Sequence, residues 1–135
     1  MEIVLTNQSA QRRDLVAALE AFAREHRLAA SVRQAADLAL EEHLTNVLRY
    51  GCEDARRHEI RVRLGLEEGC LVIEVQDDGR AFDPLQGPKV DTSVPLESKP
   101  IGGLGIHLIR TFMDEVKYRR EAGCNILRMR KRLTA

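Results

Sequence analysis

Tryptophan is absent from this chain of 135 residues, and all aromatic residues together make up only 4% of it. Proteins that bind single-stranded nucleic acid commonly stack bases on aromatic side chains, so the scarcity argues against that function. An excess of charge of one sign is also missing, because 21 Lys and Arg balance 21 Asp and Glu. A neutral chain has no overall attraction for nucleic acid or for an anionic membrane.

Long apolar runs are missing as well. No stretch approaches the roughly 18 apolar residues of a membrane span, and the residues after Met1 do not form a signal-peptide pattern. The three cysteines, Cys52, Cys70 and Cys124, are an odd number at wide spacings, which fits neither a disulfide framework nor a CxxC metal site. We therefore expect a cytoplasmic protein in a reducing compartment, without a membrane partner.

The length and the hydrophobic content of 44% fit one globular domain. Alternation and helical spacing predict a two-layer α+β fold, in which a mostly antiparallel mixed sheet of about five strands is covered on one face by three helices. The predicted elements are a strand at 2–6, a helix from an N-cap at Ser9 to about 27, a helix from about 31 to 50 with a C-cap at Gly51, strands at 58–66 and 70–76, a helix at about 104–113, and strands at 115–119 and 124–131.

All four prolines lie in one segment, from Pro84 to Pro100. Proline can neither continue a helix nor donate a hydrogen bond to a sheet, so the segment is predicted to be a loop of about 17 residues. Loops of that length in a compact domain usually serve as lids or binding loops.

Two polar residues fall on the apolar side of the second predicted helix. Glu42 and Asn46, one turn apart, continue the flank formed by Val32, Ala35, Leu38 and Ala39. Burial of unpaired polar groups is costly, which suggests a function for both. The alternative is that they hydrogen-bond to one another or to a neighbouring loop.

A further acid, Asp77, follows Leu71, Ile73 and Val75 on one face of a predicted strand. It also begins the sequence Asp77-Asp78-Gly79, which alone is more typical of a simple turn. Later, a glycine-rich segment at 102–105 opens a helix, where free backbone N–H groups could bind phosphate. His43 and His107 are expected at the helix surface or in the core and not at a metal, because no second ligand lies at a usable spacing.

The order of these motifs resembles the GHKL ATP-binding superfamily, which includes gyrase, the ninety-kilodalton heat-shock chaperone, histidine kinases and MutL. The short chain and the sequence Glu41-Glu42-x-x-Thr45-Asn46 are similar to bacterial anti-sigma factor serine/threonine-protein kinases. The resemblance covers about residues 3–133. It implies a Bergerat-type, histidine kinase-like ATPase fold, with residues 1–135 forming a single ATP-binding domain.

The resemblance also implies roles for individual residues. Asn46 would bind a Mg²⁺ ion that bridges the ATP phosphates, and Glu42 would be the catalytic residue that activates the attacking hydroxyl. Asp77 would accept a hydrogen bond from the adenine amino group, and Gly79 would let the backbone approach the base. The remaining implied contacts are a lid at about 85–101 and a phosphate-binding set of Gly103, Leu104 and Gly105.

Two positions depart from the family pattern. Ala81 stands where the second motif usually has another glycine. The last motif, often Gly-Thr, is Gly123-Cys124-Asn125 here, so a contact at that point would come from Asn125 or from the backbone.

The function implied is that of an ATP-dependent serine/threonine-protein kinase that phosphorylates a STAS-like anti-sigma factor antagonist and sequesters a sigma factor. The alternative is a nucleotide-dependent regulatory binding module without phosphoryl transfer. A third interpretation, nucleic-acid binding through the basic segment 128–132, is disfavoured by the neutral charge. Whether the chain forms a homodimer stays open.

Overall fold

The structure is a computed structural model that describes residues 1–7, 12–51, 56–86 and 101–133. A π-helical turn, Val47–Gly51, follows the second helix, and a short 3-10 turn, Pro84–Gln86, follows the third strand. The main elements are β1 (Glu2–Thr6), α1 (Arg12–Glu25), α2 (Ala30–Asn46), β2 (Glu59–Glu67), β3 (Cys70–Asp77), α3 (Ile101–Phe112), β4 (Glu115–Glu121) and β5 (Cys124–Arg132).

The five strands form one sheet in the order β1-β2-β3-β5-β4, and every pairing is antiparallel. The predicted α+β fold of two layers is confirmed. β3 is the central strand, and β5 returns to its side after the chain has passed through α3 and β4. Since β3 and β5 are direct neighbours, residues far apart in sequence meet at the end of β3.

The core lies between the helices and one face of the sheet. Alternate residues of β2 and β3, including Ile60, Val62 and Ile73, are fully buried there. Leu19 of α1, Leu40 of α2 and Ile109 of α3 cover them from the helical layer. Each such side chain contributes roughly 1.5–3 kcal/mol when it is removed from water, so the period-two and period-3.6 patterns are sufficient to drive the two layers together.

Two tight turns set the register of the two hairpins, β2–β3 and β4–β5. Glu68 and Gly69 have φ values of 50° and 75°, and Ala122 and Gly123 have φ values of 50° and 79°. Positive φ at both central residues is typical of the type I′ turns that match the twist of a two-residue hairpin. Asn125, two residues after the second turn, lies directly opposite Asp77 in the separate β3–β5 pairing.

The helices differ from the predicted ones at two boundaries and in the burial of one residue. α2 ends in the π-helical turn and not in a glycine cap at Gly51. Leu38, expected on the buried flank, is 41% exposed, so the apolar stripe of α2 is narrower than its composition suggests. α3 begins at Ile101, so the glycine-rich segment lies inside the first turns of the helix and not in a turn before it.

Some predicted features cannot be compared with the structure. The N-cap at Ser9 and almost all of the lid at about 85–101 lie outside the described residues. Among the helices that the structure describes, none is long and apolar enough to span a bilayer.

The outer face of the sheet is covered by a row of ion pairs. Glu2, Arg63, Glu74 and Arg128 are neighbours in register on four adjacent strands. Arg63 lies 2.7 Å from Glu2 and 3.6 Å from Glu74, and Arg128 lies 3.4 Å from Glu74. Individual exposed pairs of this kind contribute only about 0–1 kcal/mol.

The basic segment at the end of β5 takes part in the same pattern. Arg128 also contacts Glu67 at 2.7 Å, Arg130 lies 3.6 Å from Glu68, and Arg132 lies 3.9 Å from Asp114. These cations are therefore neutralised by carboxylates of the same molecule and do not form an unbalanced basic patch.

Candidate functional site

Asp77 ends β3 on the inner face of the sheet and is 2% exposed. Its Oδ1 accepts hydrogen bonds from the backbone N–H of Gly79 at 3.0 Å and from Nδ2 of Asn125 at 3.0 Å. Burial raises the pKa of the carboxyl, and these two hydrogen bonds oppose the rise. Both interpretations of the motif hold, because Asp77 is an inward acid and also closes the turn after the strand.

Asn125 organises the segment that follows Asp77. Besides its bond to Asp77, Nδ2 donates to the carbonyl of Arg80 at 2.8 Å. Its Oδ1 accepts from the backbone N–H of Phe82 at 3.1 Å and from the hydroxyl of Tyr118 at 2.6 Å. The chain after β3 is thereby attached to both β5 and β4.

The turn itself is held from two further directions. On one side, Nδ1 of His58 lies 2.9 Å from Oδ1 of Asp78, which also accepts from the N–H of Glu59 at 3.2 Å. On the other side, Arg120 donates to the carbonyl of Gly79 at 2.8 Å. Gly79 is buried, as expected for a glycine at a point of close approach.

Sequence reasoning missed Tyr118 and Arg120, and it named Asn125 only as a departure from a motif. The available signal was the hairpin turn at 122–123 combined with strand alternation, which puts positions 118, 120 and 125 on the inner face of the sheet. Only the β3–β5 register shows that this face meets Asp77.

The second part of the candidate site lies at the end of α2. Asn46 is 5% exposed, and its Nδ2 is buried with no hydrogen-bond partner among the described residues. Glu42 is half-buried one turn earlier, at the edge of the buried face and close in projection to exposed Leu38. Within this part of the chain the structure records no hydrogen bond between Glu42 and Asn46, so the mutual pairing considered from sequence is not found.

An unpartnered buried amide destabilises a fold by about 1–3 kcal/mol. Such groups in proteins often await a ligand or an ion. The π-helical turn that begins at Val47 directly after Asn46 is also a feature frequently found at functional sites. Amide oxygens are suitable ligands for Mg²⁺, so the predicted metal role would fall on Oδ1 of Asn46, whereas the unpartnered Nδ2 is a hydrogen-bond donor and cannot bind the ion.

His43 lies between these two residues in sequence but belongs to the core. It is 3% exposed, and burial lowers its pKa to about 4, so the imidazole is neutral at physiological pH. His107 is exposed on α3. No group of three or more His, Cys, Asp or Glu suited to a metal ion occurs among the residues that the structure describes.

The predicted phosphate-binding residues Gly103, Leu104 and Gly105 lie in the first turns of α3. The backbone N–H groups of a helix start favour anions, so this position is compatible with the predicted role. A separate cavity of about 330 Å³ lies between the end of α1 and the start of α2, and its lining, which includes Arg24, Arg27 and Arg33, contains none of the predicted site residues.

Comparison with known proteins gives the class of this chain. The sequence profile of the histidine kinase-like ATPase domain matches residues 5–131. The chain therefore belongs to the histidine kinase-like ATPase domain family, and the predicted recognition is confirmed.

Two curated relatives show the degree of sequence similarity. The serine-protein kinase RsbW of Bacillus velezensis is 33% identical over 94 residues, which cover 66% of this chain and 58% of the relative. The serine-protein kinase RsbW of Bacillus cereus is 35% identical over 95 residues, which cover 67% and 58%. The chain thus spans little more than half the length of these curated relatives.

A solved structure supports the fold alone. The blue-light activated histidine kinase of Erythrobacter litoralis EL346 superposes with a TM-score of 0.57 at 20% identity, over 79% of this chain and 32% of that chain. The two-layer architecture is thus shared with part of that histidine kinase.

Proposed function

We propose that this chain is an ATP-dependent protein kinase of the anti-sigma-factor type, which transfers the γ-phosphoryl group of MgATP to a serine or threonine hydroxyl of a partner protein. The observation that carries the proposal is the presence on α2, one turn apart, of a half-buried carboxylate, Glu42, and a buried carboxamide, Asn46, whose Nδ2 has no hydrogen-bond partner among the described residues. A module that only holds nucleotide has no use for the carboxylate.

Adenine recognition is assigned to the end of β3. Oδ1 of Asp77 already accepts two hydrogen bonds, and Oδ2 has no hydrogen-bond partner in the described part of the chain. This second oxygen is suited to accept from the amino group of adenine. Gly79, buried beside it, carries no side chain that would obstruct the base.

Phosphate and metal binding are assigned to the two helices. Asn46 would hold Mg²⁺ through its carboxamide, and Gly103, Leu104 and Gly105 would contact the phosphates from the start of α3. When bound, Mg²⁺ would neutralise negative charge on the phosphate oxygens. The lid predicted at about 85–101 would close over the nucleotide.

Glu42 is assigned the catalytic role. Phosphoryl transfer depends mainly on positioning and charge stabilisation, and a carboxylate can orient the attacking hydroxyl and accept its proton. Its place at the rim of the buried face allows access to a hydroxyl from a second protein. The proposed partners are a STAS-like antagonist protein as phosphoryl acceptor and a sigma factor as bound target.

The test is transfer of label from [γ-³²P]ATP to a purified STAS-like antagonist. We expect Glu42→Gln to lower the transfer rate by about 10²–10⁴-fold, because it removes the base but preserves shape. ATP affinity should change little. The matched control is Glu41→Gln, which neutralises the adjacent acid on the polar side of α2 and should leave transfer unchanged.

Two outcomes would overturn the proposal. Equal transfer by the wild type and Glu42→Gln would remove the catalytic role of Glu42. ATP binding by the wild type without transfer to any antagonist tested would favour the alternative function, a nucleotide-dependent binding module.

A further inference from the structure

We propose that the cavity between the end of α1 and the start of α2 binds a phosphate monoester through the guanidinium groups of Arg24, Arg27 and Arg33, which line it. The cavity lies at the opposite end of α2 from Asn46, about 24 Å away along a helix that rises 1.5 Å per residue. It is therefore separate from the proposed nucleotide site, and the inference does not rest on the proposed function.

The first support is that these three cations lack counter-ions. Their guanidinium groups make no ion pair or hydrogen bond among the residues that the structure describes. Glu20 precedes Arg24 by four residues and Asp37 follows Arg33 by four, which is the spacing of helical ion pairs, yet neither pair forms in this part of the chain. By contrast, the arginines on the outer face of the sheet contact carboxylates. The cavity thus concentrates positive charge that the protein itself does not neutralise.

The second support is the backbone conformation of Arg27. Helix α1 closes with a Schellman motif, in which the N–H of Leu28 donates to the carbonyl of Ala23 at 2.9 Å. The N–H of Arg27 donates to the carbonyl of Arg24 at 3.3 Å. Arg27 therefore occupies the position where helices usually have glycine, and its φ is 54°. A side chain is disfavoured in this left-handed conformation, so an arginine here indicates a use for its guanidinium group.

The size and lining of the cavity suit a small polar group. Its volume of about 330 Å³ is at the lower end of the range for small-molecule sites. Ala23 and Leu28 contribute apolar surface, and Glu20 is the acid in a described lining that also holds three arginines. The site is therefore net positive, and Glu20 can accept a hydrogen bond from an N–H or O–H group of the ligand next to its anion.

The chemistry of arginine favours phosphate among anions. A guanidinium group is a planar fork of N–H donors that can bind two oxygens at once. A phosphate monoester carries three such oxygens and close to two negative charges at neutral pH, enough to engage three arginines, whereas a carboxylate has only two oxygens and one charge. The start of α2 adds potential of the same sign, because Ala29 supplies no capping side chain and the first turn contains no acid.

The experiment is a titration of the full chain followed by ¹H–¹⁵N NMR at constant ionic strength. The probe is O-phospho-L-serine, and L-serine is the control that lacks the phosphate. We expect saturable shifts of the backbone amides at 23–33, with a Kd of about 0.1–5 mM, and no such shifts with L-serine. Phosphate bound at the proposed nucleotide site would instead shift the amides of α3, so the position of the shifts separates the two sites.

Two variants each remove one guanidinium group from the cavity. Arg27→Gly should weaken the binding of O-phospho-L-serine by about tenfold, because charge-assisted hydrogen bonds are lost. It should not lower the melting temperature, because glycine suits the left-handed position. Arg33→Gln should weaken binding by a similar factor. The charge-matched control, Arg13→Gln on an exposed part of α1 outside the cavity, should change the Kd by less than about twofold.

A second arm of the titration separates two sources of the phosphate group. A short phosphoserine peptide, acetylated and amidated at its ends, presents the phosphate as a phosphorylated protein would. Tighter binding of this peptide would assign the site to a phosphoprotein, and tighter binding of free O-phospho-L-serine would assign it to a small molecule. Either result supports the phosphate site.

Three outcomes would overturn the inference. These are the absence of saturable shifts at 23–33, equal affinities for the wild type and both cavity variants, and an equal loss of affinity in Arg13→Gln, which would reduce the effect to overall charge. None of them bears on ATP binding, which calorimetry measures separately. The failure of this inference and the failure of the proposed function are therefore distinguishable.

Discussion

At the residue scale, the burial of the Asp77 carboxylate lowers the stability of the fold but suits the proposed binding of a ligand. The carboxylate is 2% exposed, and burial raises its pKa. A raised pKa in an acid means that its contribution to stability is full at low pH and is lost as pH rises through the pKa of the folded state. Ionisation of this buried group therefore lowers the stability of the fold, as expected for a group retained for a ligand.

Asp77→Asn should separate these two effects. We expect the melting temperature to rise by about 3–6 °C, the shift that corresponds to roughly 1 kcal/mol in a chain of this size. ATP affinity should fall by at least about tenfold, because the amide oxygen stays bonded to Gly79 and Asn125 and an N–H group then faces the adenine amino group. Thermal denaturation and calorimetry measure the two quantities.

Asp78→Asn is the control, because Asp78 is about half exposed and its carboxylate pairs with His58. It should not raise the melting temperature. A lower melting temperature for Asp77→Asn would contradict the assignment of Asp77 as a group that is strained by burial.

The sequence predicted whether a side chain faces the core wherever the hydrophobic periodicity of its helix or strand decides this. The inward orientation of Asp77 and the burial of Asn46 were predicted in this way, and both are confirmed. The contacts of Asn125 could not be predicted, because they depend on the register between strands 48 residues apart. The roles of Asp77 and Asn46 in nucleotide binding stay predictions.

At the element scale, turn chemistry explains most of the boundaries. β1 has its predicted bounds, and the glycine turns at 67–69 and 121–123 define both hairpins. The π-helical turn after α2 has no sequence signal that distinguishes it from a continuing helix. The glycines of α3 favoured a turn on propensity, but the helix includes them, since its apolar face packs on α2.

Helix α2 buries a neutral imidazole, which has a measurable consequence. The pKa of His43 is lowered to about 4 by burial, from 6.5 when it is exposed. The unfolded chain therefore binds a proton in this range that the folded chain does not bind. Between pH 6.5 and 4 the free energy of unfolding should fall as pH falls, by up to roughly 3 kcal/mol from this residue.

His43→Leu should remove that part of the pH dependence, as measured by urea unfolding at several pH values. The matched control is His107→Leu at an exposed position of α3, which should retain the slope of the wild type. Equal slopes for the wild type and His43→Leu would show that His43 is not the buried neutral base.

At the scale of the whole molecule, the two hairpins followed from the sequence because β2–β3 and β4–β5 are local pairings, whereas the pairing of β1 with β2 joins residues more than 50 positions apart. The placement of β5 beside β3 is not local, yet it brings Asn125 to Asp77 and thus assembles one half of the candidate site. The other half, on α2, depends on the packing of the helical layer on the sheet. The family profile covers both halves, from residue 5 to 131.

The central claim is that Asn46 holds the Mg²⁺ of a bound MgATP. Isothermal titration of ATP with and without Mg²⁺, in the wild type and in Asn46→Ala, tests it most directly. We expect Mg²⁺ to strengthen ATP binding by the wild type at least tenfold and to have almost no effect on a folded Asn46→Ala protein. An equal gain from Mg²⁺ in both proteins would contradict the account.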